Sequence, residues 1–219
     1  MNSIVVDKSE LVPSKVVCVG KNYLDHIREM GGEKPFPEPT IFMKPNSAIV
    51  SSPESVSIPE KYGTLHHEVE LCFVISKQCK GATQQNASDY ILGWSVGIDF
   101  TLRDIQSKAK ERGGPWEISK GFDSSAVFGE FHSRDDSFNP MQLAIRLEVN
   151  DEPRQDGNTG QMIFTPTEVI EYVSGFVTLN RGDIIMMGTP KGVGPVIDGD
   201  IIHAAVSQLP SLTFKVNRP

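Results

Sequence analysis

Two glutamates stand two residues apart, Glu68 and Glu70, inside an alternating apolar run over residues 66–76. Strand side chains point alternately to opposite faces, so both carboxylates project from one side while Val69, Leu71, Phe73 and Ile75 fill the other, buried one. Adjacent anions repel. A strand tolerates them on a solvated face with salt bridges, beside a neutralising cation, or where one keeps its proton. Asp99 ends a second apolar run, 94–98, at an expected strand-to-helix junction, where it could supply a third carboxylate or simply cap the helix. Carboxylates without a Cys or His partner are hard oxygen ligands that favour Mg²⁺, Mn²⁺ or Ca²⁺ over Zn²⁺. His26 and Glu29 are three apart in a short helical stretch, the spacing at which a carboxylate can orient an imidazole as general base; the plain alternative is an incidental pair on an exposed helix. Lys120 could neutralise an enolate or a substrate carboxylate, or be one more surface lysine. The run 187–194, with Gly188 and Thr189, could offer backbone N–H groups and a hydroxyl to an anion, or be an ordinary turn. It lacks the G-x-x-x-x-G-K-[ST] order of a nucleotide-binding loop.

The elements that must position these groups are mostly strands. Lys15–Gly20 reads as a buried strand, 23–30 as a helix stopped by Gly31-Gly32, and 40–44 as a short strand ended by Pro45. Further along, 87–91 is expected to be helical, 93–100 a strand, and 101–111 an amphipathic helix that stops before Gly113-Gly114-Pro115. Ala144–Val149 leads into a turn at Asn150-Asp151, 167–173 forms a helix, and strands follow at 183–187, 200–205 and 212–216. Strands outnumber helices without alternating regularly with them, which points to a mixed, β-rich α+β fold rather than a doubly wound sheet. With 219 residues, no repeat and no linker, one domain over 1–219 is expected.

Composition narrows the functional classes. A net charge of −7 and the absence of a Lys/Arg stripe argue against nucleic acid as a partner; the basic group at 103–112 is interleaved with Asp104 and Glu111 and reads as a solvated helix face. No window is apolar enough to span a membrane, and the N-terminal residues carry no basic-then-apolar leader, so a cytoplasmic location is expected. Cys18, Cys72 and Cys79 suggest neither a disulfide framework nor a zinc site, and buried free thiols are expected.

In order and wording the chain resembles the fumarylacetoacetate hydrolase family, especially its small acylpyruvase-like branch. The resemblance runs through Val19-Gly20-Lys21-Asn22-Tyr23, Phe42-Met43-Lys44-Pro45, His66-His67-Glu68-Val69-Glu70-Leu71 and Gly97-Ile98-Asp99 with Arg103-Asp104 and Gln106. It continues through Lys120-Gly121-Phe122-Asp123, Arg154-Gln155, Arg181-Gly182-Asp183 and Gly188-Thr189-Pro190. It implies a β-roll core with short peripheral helices, a homodimer, metal ligation by Glu68, Glu70 and Asp99, a His26/Glu29 pair near the site, and substrate contacts from Arg103, Gln106, Lys120, Gly188 and Thr189. Lys21 stands where the family often has Arg, and Asp151 where Gly is usual.

The chemistry so implied is Mg²⁺-dependent (Mn²⁺ as the alternative) hydrolysis of a 2,4-diketo acid such as acetylpyruvate or fumarylpyruvate to pyruvate and a carboxylic acid, with His26 activating water. The same enolate chemistry would serve an oxaloacetate keto-enol tautomerase or decarboxylase, and a non-catalytic metabolite-binding protein is the alternative outside enzymology.

Overall fold

The computed structural model describes residues 1–133 and 137–219. Its centre is an eight-stranded mixed sheet in which Thr40–Pro45, Lys15–Gly20, Ile184–Met186, Val69–Ile75, Ile91–Asp99, Ala126–Phe128 and Ile49–Ser51 lie side by side, with His132–Ser133 pairing to Ile91–Asp99. A five-stranded sheet, Glu152–Asn158, Ala144–Val149, Ile201–Val206, Leu212–Asn217 and Ser55–Ser57, packs against it. Side chains from both sheets, among them Val69, Leu71 and Phe73 from one and Ile145, Leu147 and Ile202 from the other, form the main core.

The central sheet is buried on its other face too. Cys18, Cys72, Met186, Ile49 and Phe128 form a second core cluster although they come from strands spread across the whole sheet. One face of the sheet, with Ile4, Val6 and Phe131 from outside it, gathers into this single cluster as the sheet curls toward it, which produces the β-roll. This corrects the expectation of one buried and one outward face for 66–76: every residue of Val69–Ile75 is buried. The expected strand is also broken at Glu68. Leu65–His67 belongs to a separate three-stranded sheet with Thr101–Leu102 and Gly194–Pro195.

Helices are short and peripheral. Leu24–Glu29 follows the end of Lys15–Gly20, and Gly31, at φ +80°, ends the turn after it. The expected helix 101–111 starts only at Arg103, because Thr101–Leu102 pairs as a strand; likewise 87–91 is a Gln84–Ala87 helix and a 3₁₀ turn, with Ile91 already in the sheet. The longest helix, Pro166–Phe176, opens with Thr165 and Glu168 exchanging bonds as a capping box. Asn150 and Asp151, at φ 53° and 63°, make the tight hairpin turn expected between Ala144–Val149 and Glu152–Asn158. Cys18, Cys72 and Cys79 are free and buried. No helix among the described residues is long and apolar enough to cross a membrane.

Candidate active site

The open end of the curled sheet collects the acids. Glu70 lies on Val69–Ile75 directly opposite Gly97 of Ile91–Asp99, Asp99 ends the latter strand, and Glu68 sits in the break between two strands, its carbonyl accepting from Asp99 N–H at 2.9 Å. One oxygen from each of the three carboxylates lies within 4.8 Å of the others, and all three residues are buried. The solvated-face alternative is thereby excluded. Asp99 is no helix cap either: the residue before the Arg103–Glu111 helix is Leu102, and Asp99 faces ammonium groups instead.

Cations within the protein balance part of this charge. Lys120 Nζ donates to Glu68 Oε2 at 2.7 Å and to Asp99 Oδ2 at 2.6 Å. Arg103 donates from one terminal nitrogen to Glu68 and from the other to Gln106 Oε1 at 2.7 Å. Lys44, wholly buried, holds its Nζ 2.8 Å from Asp99 Oδ1, close enough for charge attraction though off the line of a hydrogen bond, and donates to Ser125 Oγ and to the carbonyls of Ser125 and Lys120.

The balance is uneven, and the pKa directions record it. Burial alone would raise the Glu68 carboxyl, but Lys120, Arg103 and His26 outweigh it and hold the group well below the carboxylate range. Among the described residues, no cation contacts Glu70. Burial, then Asp99 and Glu68, push it well above its ordinary value, against the more distant charge of Lys120 and a bond from Gly188 N–H at 2.7 Å. Burial disfavours the charged Lys120, yet Asp99 and Glu68 raise it further than burial lowers it. Three buried hard-oxygen donors, one of them under like-charge repulsion, form a donor set that a divalent cation fits.

The acids floor a cavity of about 230 Å³ that His26, Arg103, Gln106, Lys120, Gly188 and Thr189 also line, so all ten residues singled out in the sequence except Glu29 face it. Glu29 lies just behind: His26 Nδ1 is 3.1 Å from Glu29 Oε2. A carboxylate only accepts, so Nδ1 carries the hydrogen and Nε2 keeps the basic lone pair. Glu29 Oε1 in turn accepts from Gly192 N–H at 2.8 Å. The glycine loop therefore uses the N–H groups of Gly188 and Gly192 on Glu70 and Glu29, and the expectation that they lie free for an anion is corrected for those two. Gly188 is required as glycine: at φ +85° an added Cβ would meet Asn22 Cβ at 2.8 Å and Val19 O at 2.9 Å.

Sequence reasoning assigned no role to Lys44 or Gln155. Lys44 carried a signal, being the lone charge in an otherwise apolar strand. Gln155 carried none. Its Oε1 accepts from His67 Nδ1 and Val69 N–H at 3.0 Å each, and its Nε2 donates to Thr189 Oγ1 at 2.7 Å and Pro190 O at 2.9 Å. Because Thr189 Oγ1 accepts here, its own hydrogen is left to donate elsewhere. Gln155→Leu strands these buried partners and is expected to cost about 3 kcal/mol in urea unfolding, at roughly 1–3 kcal/mol for each unsatisfied group; a loss under 1 kcal/mol would contradict the network.

A family model described as fumarylacetoacetate (FAA) hydrolase C-terminal matches residues 15–217. The chain belongs to the fumarylacetoacetate hydrolase family. Within that family it is 43% identical over 204 residues to oxaloacetate tautomerase FAHD1, mitochondrial, of Bos taurus, covering 93% of this chain and 92% of that one. It is 43% identical over 188 residues to oxaloacetate tautomerase YcgM of Escherichia coli strain K12, covering 85% of each. The crystal structure of fumarylpyruvate hydrolase from Pseudomonas aeruginosa, in complex with Mn²⁺ and pyruvate, superimposes with a TM-score of 0.94 at 34% identity, covering 100% of this chain and 96% of that one. The β-roll expected from the resemblance is thus the fumarylacetoacetate hydrolase fold, and the chain is an enzyme of that family.

Proposed function

We propose that the protein, acting as one catalytic domain, hydrolyses 2,4-diketo acids of the acylpyruvate type to pyruvate and a carboxylic acid. The observation that carries this reading is the buried Glu68/Glu70/Asp99 cluster sharing one cavity with His26, whose Nδ1 is held by Glu29. Glu68, Glu70 and Asp99 would hold Mg²⁺, with Mn²⁺ as the alternative, and the bound ion would supply Lewis-acid stabilisation of an enolate.

The chain's own residues do the rest. Arg103, Gln106 and the Thr189 hydroxyl orient the keto-acid end in the cavity. His26 Nε2 takes a proton from water while Glu29 steadies the imidazolium that forms. The resulting hydroxide adds to the distal carbonyl carbon, the bond from that carbon to the substrate methylene breaks, and its electron pair stays on the pyruvate fragment as an enolate. Return of a proton to the methylene carbon gives pyruvate, and the acyl fragment leaves as a carboxylate. Lys120 places positive charge beside the two acids that face the enolate.

A second reading, oxaloacetate keto-enol tautomerisation, is favoured by the names of the relatives at 43% identity. It needs only the proton-transfer half of the same machinery, between the methylene carbon and the enol oxygen. One assay with Mg²⁺ or Mn²⁺ separates them: pyruvate release from acetylpyruvate and fumarylpyruvate is expected, whereas loss of oxaloacetate enol absorbance without pyruvate from any substrate replaces hydrolase by tautomerase. Pyruvate from oxaloacetate alone identifies a decarboxylase, and no turnover at all leaves a metabolite-binding protein. The homodimer that the family resemblance implies is tested in the same preparation by light scattering.

A further inference from the structure

The cavity has an acidic floor and a basic outer wall, and the two differ in how completely their charges are matched. Arg103, Lys120 and Lys44 all have carboxylate partners, Glu68 or Asp99. Lys21 and Lys110 also line the cavity, yet among the described residues neither pairs with a carboxylate; each instead stands over an aromatic ring, Lys21 Nζ 4.4 Å from the centre of Phe36 and Lys110 Nζ 5.4 Å from that of Trp116. Trp116 and Phe42, with ring centres 5.9 Å apart, form the apolar wall between floor and rim. Lys110 is exposed as a residue, but the protein around its ammonium, then the like charges of Arg103 and Lys21, push it down to about 8. In a chain of net charge −7, two cations without counter-charge at the mouth of one cavity are a local excess of the opposite sign.

We propose that Lys110, with Lys21 near it, forms a subsite for a second carboxylate at the far end of the substrate, so that the enzyme takes dianionic 2-keto acids in preference to those with a neutral tail. This rests on the proposed function in placing the keto-acid end on the acidic floor. The tail then runs past Phe42 and Trp116 toward the rim, where a carboxylate meets the unpaired ammonium groups and a methyl group meets nothing that prefers it. Arg103 is tied to the floor by Glu68 and Gln106, so it serves the keto-acid end and not the rim.

The test pairs substrates and ligands of matched shape. Wild type and Lys110→Gln are assayed for kcat/KM on fumarylpyruvate and acetylpyruvate. Calorimetry in Mg²⁺ buffer compares oxaloacetate with 4-methyl-2-oxopentanoate, in which an isopropyl group replaces the distal carboxylate. Wild type is expected to prefer the dianion in binding by about tenfold, as for one added ion pair in a partly screened site. Lys110→Gln should erase most of that preference, Lys110→Arg should retain it, and Lys108→Gln, exposed on the same helix, should leave it intact. An equal loss on dianionic and neutral partners would assign Lys110 to the keto-acid end or to structure, and equal wild-type affinity for both would remove the subsite; either overturns the proposal. If neither diketo acid is turned over, the hydrolase reading fails, and the calorimetric comparison still decides the subsite.

Discussion

Glu70→Gln is expected to abolish Mg²⁺ binding yet leave the metal-free protein at least as stable as the parent, whereas Asp99→Asn should abolish binding and destabilise the fold. The two acids sit in one cluster but in opposite electrostatic positions. Among the described residues Glu70 pairs with no cation, and it is raised by burial and by its acidic neighbours. A group whose folded pKa is raised contributes stability below its unfolded pKa and loses it as pH rises through the folded value. Glutamine, which keeps the acceptor for Gly188 N–H, is spared that loss, so the melting temperature of metal-free Glu70→Gln should pull ahead of wild type as pH increases. Glu68 has the reverse sign: its depressed pKa gives stability at neutral pH that disappears as pH falls. Asp99, in contrast, faces Lys44 and Lys120 at 2.8 and 2.6 Å, and its neutralisation leaves two buried ammonium groups short of charge, a loss of about 3–5 kcal/mol.

Function should follow the metal in both variants. Mg²⁺ at a hundred times its Kd is expected to stabilise wild type by about 2.7 kcal/mol and to do nothing for either variant. Turnover should fall by about 10³-fold or more in each, equivalent to several kcal/mol of lost transition-state stabilisation. Since the ion requires Glu70 without its proton, binding should release a proton and strengthen with pH, which calorimetry in buffers of different ionisation enthalpy reads directly. Mg²⁺ stabilisation that survives Glu70→Gln would remove the acidic cluster from the mechanism.

The local pattern of the chain made the β-rich fold class and a candidate acidic cluster legible, but not the packing that surrounds them. Glu68, Glu70 and Asp99 were legible because carboxylates in apolar runs are costly, and the structure brings their oxygens together. What the pattern missed is the second buried face of the central sheet. Alternation over 66–76 distinguishes two faces but not what covers each, and Cys72 and Val74 are covered only because the sheet curls strands from both ends of the chain around them. The break at Glu68 was invisible for the same reason, since it arises from Leu65–His67 pairing with Thr101–Leu102. Glu152–Asn158 was overlooked because Pro153, Asp156 and Gly157 disfavour a strand, yet it forms an edge held by Ala144–Val149. Gln155, on that strand, anchors Thr189 through contacts 34 residues away in sequence, and no spacing rule anticipates such a partner.

His26→Gln is expected to lower kcat by about 10² to 10⁴-fold, the range for loss of a positioned general base, while Mg²⁺ affinity stays near wild type. The retained metal affinity matters because His26 lies on a six-residue helix that a substitution could disturb. Glu29→Gln should cost less, about tenfold, because the amide can still accept from Gly192 N–H and hold the helix against the glycine loop but can no longer stabilise a charged imidazole. The loss in both should fall on kcat, since the keto-acid end is held by other residues. If His26 acts on water, pyruvate release should fall far more steeply than the exchange of oxaloacetate between keto and enol forms, for which bulk solvent offers a competing proton source. Equal loss of both activities would mean that His26 moves a proton on the substrate carbon itself, and would favour tautomerisation as the primary chemistry. Unchanged kcat in His26→Gln would place the base elsewhere along the cavity wall.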